Sequence, residues 1–347
     1  MSTSQAHEID ATGSDVMDTT PTVIGQTNGA SHFSSRATLA NAYLKLEVLP
    51  GLGGGISRFD WNDRGIWTPV FVRPSMATSG VEKNQLACYP LLQGPWIRRR
   101  QSHLPKDLRG TIRNCAEERD LAEVVGLQDW QIERIDARSV KLTAVSAIQK
   151  AYHAILEYQL DGPTLTVKIQ IENRKERAVP FSIGIRPFLI RDADTLVCAP
   201  ASSLRLSGDG DARSRYVPTP PAWQFGVTYP LPRSQVDHVF KGWGGRALFE
   251  WPTRQFSLEI SSDAASYRLH APRQERFFSF QPYDALDGAT SATGVHEGWP
   301  AFVHAGARMS RRFNFTVGRI GSQTKFGMHH HVSDGRKAVS SYGMCGQ

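Results

Sequence analysis

Leu165-Thr166-Val167-Lys168-Ile169-Gln170-Ile171 alternates apolar and polar residues without a break. That period of two predicts a strand with one face in a core and the other in water. Asp161-Gly162-Pro163 stands just before it and signals a turn. The same alternation recurs in Leu44-Lys45-Leu46-Glu47-Val48, in Val140 to Val145 and in Phe256-Ser257-Leu258-Glu259-Ile260. Turn signals such as Gly51 to Gly55 punctuate the chain at intervals that suit an antiparallel sandwich rather than alternating strands and helices. The fold class is therefore all-β. A helix is conceivable over Cys115 to Val125, with Glu117, Glu118 and Asp120 near its start, and a loop is the equal alternative there.

The chain has 347 residues, 40% of them hydrophobic. Residues 37–320 show neither a fixed repeat nor a shift in composition, so one β-sandwich domain is expected there. Residues 1–36 and 321–347 carry little apolar periodicity and are expected to be disordered tails, because they bury too little to offset ordering entropy. His329-His330-His331 in the second tail reads as incidental. No apolar run reaches the roughly 18 residues of a membrane span, and the N-terminus lacks the features of a secretion signal. A cytoplasmic protein without a membrane partner is the expectation. Cys88, Cys115, Cys198 and Cys345 are too dispersed for a disulfide framework or a metal knuckle. The net charge of +7 raises the question of nucleic acid. The arginines, however, are scattered among strand-like segments, only Arg98-Arg99-Arg100 forms a run, and no nucleic-acid-binding signature accompanies them. No cofactor or metal is expected, since no ligand spacing stands out and Gly51 to Gly55 lead into a strand rather than a phosphate-binding helix. The oligomeric state is left open.

Several segments, in order, resemble the aldose 1-epimerase (galactose mutarotase-like) family. They are Leu46 to Ile56 with its glycine turn, Ala87-Cys88-Tyr89-Pro90-Leu91, Trp130-Gln131-Ile132, and Ile171-Glu172-Asn173 followed by Val179-Pro180-Phe181-Ser182-Ile183-Gly184. The closest is Val236-Asp237-His238-Val239-Phe240-Lys241-Gly242-Trp243-Gly244-Gly245, followed by Glu250-Trp251-Pro252. The resemblance implies a large antiparallel β-supersandwich and a small-molecule sugar as partner. It also implies interconversion of pyranose anomers, in which a base takes the proton of the anomeric hydroxyl while an acid protonates the ring oxygen.

The positions that the resemblance assigns to this chemistry carry other residues. Arg186 stands where the family has its acid histidine, Arg109 where it has a second histidine, and Gln281 where it has the base glutamate. A guanidinium does not release a proton at neutral pH, and an amide is no base. Asp237 matches the family's hydroxyl-binding aspartate, with a turn-capping role as the alternative. Trp96, near the family's sugar-binding segment, either stacks on a sugar ring or packs in the core. Arginine in place of histidine favours an anionic sugar, since its fork suits carboxylate or phosphate. Carboxylates of the protein itself are the alternative partners of Arg186 and Arg109. Asp284, Asp287, His296, Glu297 and His103 are the candidates for a substitute acid and base. Three readings follow: an enzyme of the aldose 1-epimerase class, a sugar-binding protein without turnover on the same scaffold, or a structural domain with no small ligand.

Overall fold

A computed structural model describes residues 22–24, 36–74, 86–93, 130–145, 152–176, 178–206, 215–284 and 302–321. Trp96, Arg109, His103, Asp287, His296, Glu297 and the helical candidate over 115–125 lie outside the described residues. The strand that opened the sequence reading runs over Thr164–Asn173, and its side chains alternate between half-buried and buried along its whole length. It pairs antiparallel with Tyr152–Asp161 through a two-residue hairpin, in which Gly162 takes a φ of 50°. On its other side it pairs with the long strand Arg308–Arg319, which also borders Phe256–Ser262. These strands form the centre of a nine-stranded antiparallel sheet.

A second, 12-stranded antiparallel sheet faces it. Six of its strands matter for function and lie in the spatial order Cys88–Gln93, Ser182–Ile190, Phe277–Tyr283, Ser266–Ala271, Val236–Trp243 and Ala201–Leu206, with Arg215–Pro218 at the edge. Thr22–Ile24, inside the segment expected to be a tail, pairs with Arg36–Ala40 at the opposite edge.

The core fills the space between the sheets with aromatic rings. Phe249 of the smaller sheet meets Phe280 and Phe278 of the larger one at centroid distances of 5.1 and 5.5 Å. Trp251 stacks on Phe256 at 4.6 Å, and its indole N–H donates to the carbonyl of Ile190 across the layers. The glycine turn after Leu49 is held from beneath, where the buried Tyr158 hydroxyl donates to the Gly54 carbonyl. Gly53 and Gly54 both take positive φ there, which explains why this turn is written in glycine.

One strand departs from simple alternation. Ser182–Ile190 is buried at every residue, because its outer face is also covered. Tyr89, Leu91, Phe188 and Phe277 gather there with Leu49 and Leu86 in a second, smaller apolar cluster. Thus an apolar cluster covers part of the outer face of the large sheet.

Candidate functional site

Strand register decides which side chains share the outer face of the large sheet. Phe278, Phe280, Leu269 and Phe240 point inward to the core, so their neighbours in sequence point outward. Pairing of Gly184 with Tyr283 and of Phe188 with Ser279 sets Arg186 opposite Gln281. Arg186 also pairs with Tyr89, and Gln281 with Arg268. Tyr89, Arg186, Gln281 and Arg268 therefore form one row across adjacent strands. Asp237 pairs with His270, and His270 with Ser279, which makes a parallel row beside the first.

Arg186 is only 4% exposed. Burying a guanidinium demands compensating contacts: Nη1 donates to the Tyr89 hydroxyl at 3.0 Å and Nε to Ser279 Oγ at 3.4 Å, and the Asp237 carboxylate acts on it through its charge. The Phe188 ring lies 5.6 Å from the guanidinium carbon, within cation–π range. Gln281 is equally buried at 4%, and its Oε1 finds no hydrogen-bond donor among the described residues.

Asp237 is a strand residue, not a turn cap, and its carboxylate is gripped at both oxygens by Arg268, at 2.7 Å from Nε and 2.9 Å from Nη2. Burial pushes the Asp237 carboxyl upward, but the hydrogen bonds and charge of Arg268, with His270 and Arg186 behind, outweigh it. The net result lies below the ordinary carboxylate value, so Asp237 is an anion at neutral pH. Its sequence neighbour His238 faces the other way, edge-on to Trp223 at 4.8 Å. Burial lowers the His238 pKa, with Asp237 acting in the opposite sense.

Of the five residues singled out in the sequence, three are therefore brought together: Arg186, Gln281 and Asp237. Asp284, considered there as a substitute base, is occupied elsewhere. Its Oδ1 accepts from Arg311 Nε at 3.0 Å and its Oδ2 from the Ile183 N–H at 3.3 Å, which ties the two sheets together. Burial raises its pKa, and Arg311 opposes the rise.

Arg268, His270 and Tyr89 belong to the site and were not picked out from the sequence. The alternation Ser266-Tyr267-Arg268-Leu269-His270 does place Arg268 and His270 on one face of a strand. Nothing local announces that Asp237 is their neighbour.

The arrangement offers forked donors, one fixed carboxylate, one buried carbonyl acceptor and an imidazole, all on one face. Groups of this kind are able to hydrogen-bond hydroxyls. Among the described residues no group of three His, Cys, Asp or Glu is placed to hold a metal ion, and no helix is long and apolar enough to cross a membrane.

No family model matches the chain. Over 108 residues it is 28% identical to the uncharacterized protein YphB of Escherichia coli (strain K12), a match that takes in 31% of this chain and 37% of that relative. Similar solved structures cover far more of it. A putative aldose 1-epimerase from Escherichia coli K12 superposes with a TM-score of 0.63 at 20% identity, over 82% of this chain and 99% of the other. A galactose mutarotase-like protein from Lactobacillus casei gives 0.61 at 14% identity, over 82% and 100%. The GalM/aldose epimerase homologue from C. elegans gives 0.59 at 12% identity, over 82% and 98%. Two facing antiparallel sheets, joined in this order and matched along nearly the whole of each of these structures, give the chain the galactose mutarotase-like fold.

Proposed function

We propose that this protein binds a pyranose carrying an acidic group on the outer face of its larger sheet. The observation that carries the reading is Gln281. Its Oε1 is buried and has no donor among the described residues, which costs about 1–3 kcal/mol, and a sugar hydroxyl is a donor of the right kind. Arg186 and Arg268 flank Gln281 on the adjacent strands; Arg268 already holds Asp237 through Nε and Nη2, so the guanidinium that favours a carboxylate or phosphate is that of Arg186. The likeness to aldose 1-epimerase structures supports a sugar as the ligand; the residue types on this face support an acidic one.

Calorimetry of the full chain with galacturonate and with galactose tests this. Galacturonate should bind at least about tenfold more tightly, and Arg186→Ala should erase the difference. Equal binding of the two sugars by the unaltered protein counts against the reading.

Turnover is a separate matter. Neither Arg186 nor Gln281 exchanges protons at neutral pH, so NMR exchange spectroscopy should show little acceleration of glucose or galactose mutarotation. One observation favours a second reading, anomer interconversion of the acidic sugar: His270 lies beside Asp237 on this face. Imidazole is the side chain that changes charge near neutral pH. An acceleration of galacturonate mutarotation that disappears in His270→Ala would establish that second reading.

A further inference from the structure

Arg186 lies beside the second apolar cluster, and its surroundings there decide how it meets a ligand. An arginine side chain has many rotamers, so a guanidinium that is to recognise one group must be held in one direction. Phe188, two residues further along the same strand, stands 5.6 Å from the guanidinium carbon. The Phe188 ring touches that of Tyr89 at a centroid distance of 5.9 Å and that of Phe277 at 5.6 Å, the latter nearly perpendicular. All three rings are buried, with Leu86 and Leu91 packed around them. Close packing of this kind keeps each ring in place.

Tyr89 is the one ring of the three with a polar group, and that group meets Arg186. Pairing of Cys88–Gln93 with Ser182–Ile190 sets Tyr89 opposite Arg186. The Tyr89 hydroxyl accepts from Nη1 at 3.0 Å, whereas the bond from Nε to Ser279 Oγ is longer, at 3.4 Å. The charge of Asp237 attracts the guanidinium without fixing its direction. A hydrogen bond to a packed phenol does fix it, because such bonds weaken steeply away from linearity.

We infer that Tyr89 is the specificity-determining residue of this face: its hydroxyl, held by the Phe188 ring, aims the Arg186 guanidinium at the acidic group of the ligand and so sets the preference for an acidic over a neutral sugar. Tyr89 acts through Arg186 and is a positioning residue. The preference rests on the acidic-sugar reading; the aiming of Arg186 does not.

Two measurements on the full chain test this. Calorimetry compares galacturonate with galactose in the parent and in Tyr89→Phe, which keeps the ring and removes the oxygen. The preference for galacturonate should fall from about tenfold or more to within about threefold. Combining Tyr89→Phe with Arg186→Ala should lower it no further than Arg186→Ala alone, since the two act through one contact. A preference that survives Tyr89→Phe overturns the inference. Should that variant fail to fold, Phe188→Leu, which loosens the ring beneath the hydroxyl, should lower the preference severalfold, and an unchanged preference there overturns the inference equally. The second measurement is NMR of the Arg186 guanidinium in isotope-labelled protein, with its signals assigned by their loss in Arg186→Lys. N–H signals resolved separately in the parent should broaden or merge in Tyr89→Phe as rotation about the Nε–Cζ bond is freed. A role of the ring in packing alone would leave them unchanged, and unchanged signals overturn the inference. Equal binding of both sugars by the parent, with Arg186 signals that still depend on the Tyr89 hydroxyl, would refute the acidic-sugar reading and leave Tyr89 as the residue that positions Arg186.

Discussion

Gln281 and Asp237 respond to substitution in opposite ways, because one is a buried polar group without a donor among the described residues and the other is a charge with its partners in place. Gln281→Leu removes an acceptor that burial leaves unsatisfied, so folding stability should stay within about 1 kcal/mol or rise. Affinity for galacturonate should fall about tenfold or more in the same variant. Thermal unfolding and calorimetry on one sample separate the two effects. For Asp237 the folded-state pKa lies below the unfolded one, near 3.9. The stability it contributes is therefore present above that unfolded value and is lost as pH falls through the folded one. Asp237→Asn should remove this part of the acid dependence, so that the stabilities of variant and parent separate above the unfolded-state value and converge as pH falls through the lower folded-state one.

At the level of elements, the site depends on how closely the Ser182–Ile190 and Phe277–Tyr283 strands approach. A Cβ added at Gly184 would stand 2.5 Å from Tyr283 Cβ and 3.0 Å from the Pro282 carbonyl oxygen. Gly184→Ala should thus cost about 1–3 kcal/mol by overpacking and part the two strands that carry Arg186 and Gln281, so chemical denaturation should show the loss and calorimetry a weaker affinity for galacturonate. Alternation made most of these elements readable, as Leu165 to Ile171 shows. It fails at Ser182–Ile190, where an apolar cluster covers the outer face as well. A strand buried on both faces has no polar beat, and a buried arginine within it looks from sequence like an ordinary solvent-facing one.

Across the whole molecule, the two sheets are joined by a single aromatic core, and the site lies on the side of the larger sheet facing away from it. Phe315, fully buried and 5.2 Å from Phe71 of the opposite sheet, belongs to the central strand of the smaller sheet. Phe315→Ala should cost about 3–5 kcal/mol yet leave galacturonate affinity of the folded protein nearly unchanged. A large loss of affinity in parallel with stability would show that core and site are coupled.

By itself the sequence determined the class of fold. Period-two alternation, glycine turns and ordered motifs are local properties, and each is legible within about ten residues. It also determined that the chemistry at Arg186 and Gln281 cannot be that of a histidine and a glutamate, since residue type alone sets proton affinity of that kind. Only the tertiary structure decided which residues share a face. Asp237 and Arg268 are 31 positions apart, Arg186 and Tyr89 97 apart. Strand order and register, fixed by how the two sheets close over their core, bring them into two adjacent rows of one face. The proposal of an acidic sugar starts from two substituted positions, Arg186 and Gln281, which strand register sets opposite each other and beside Arg268.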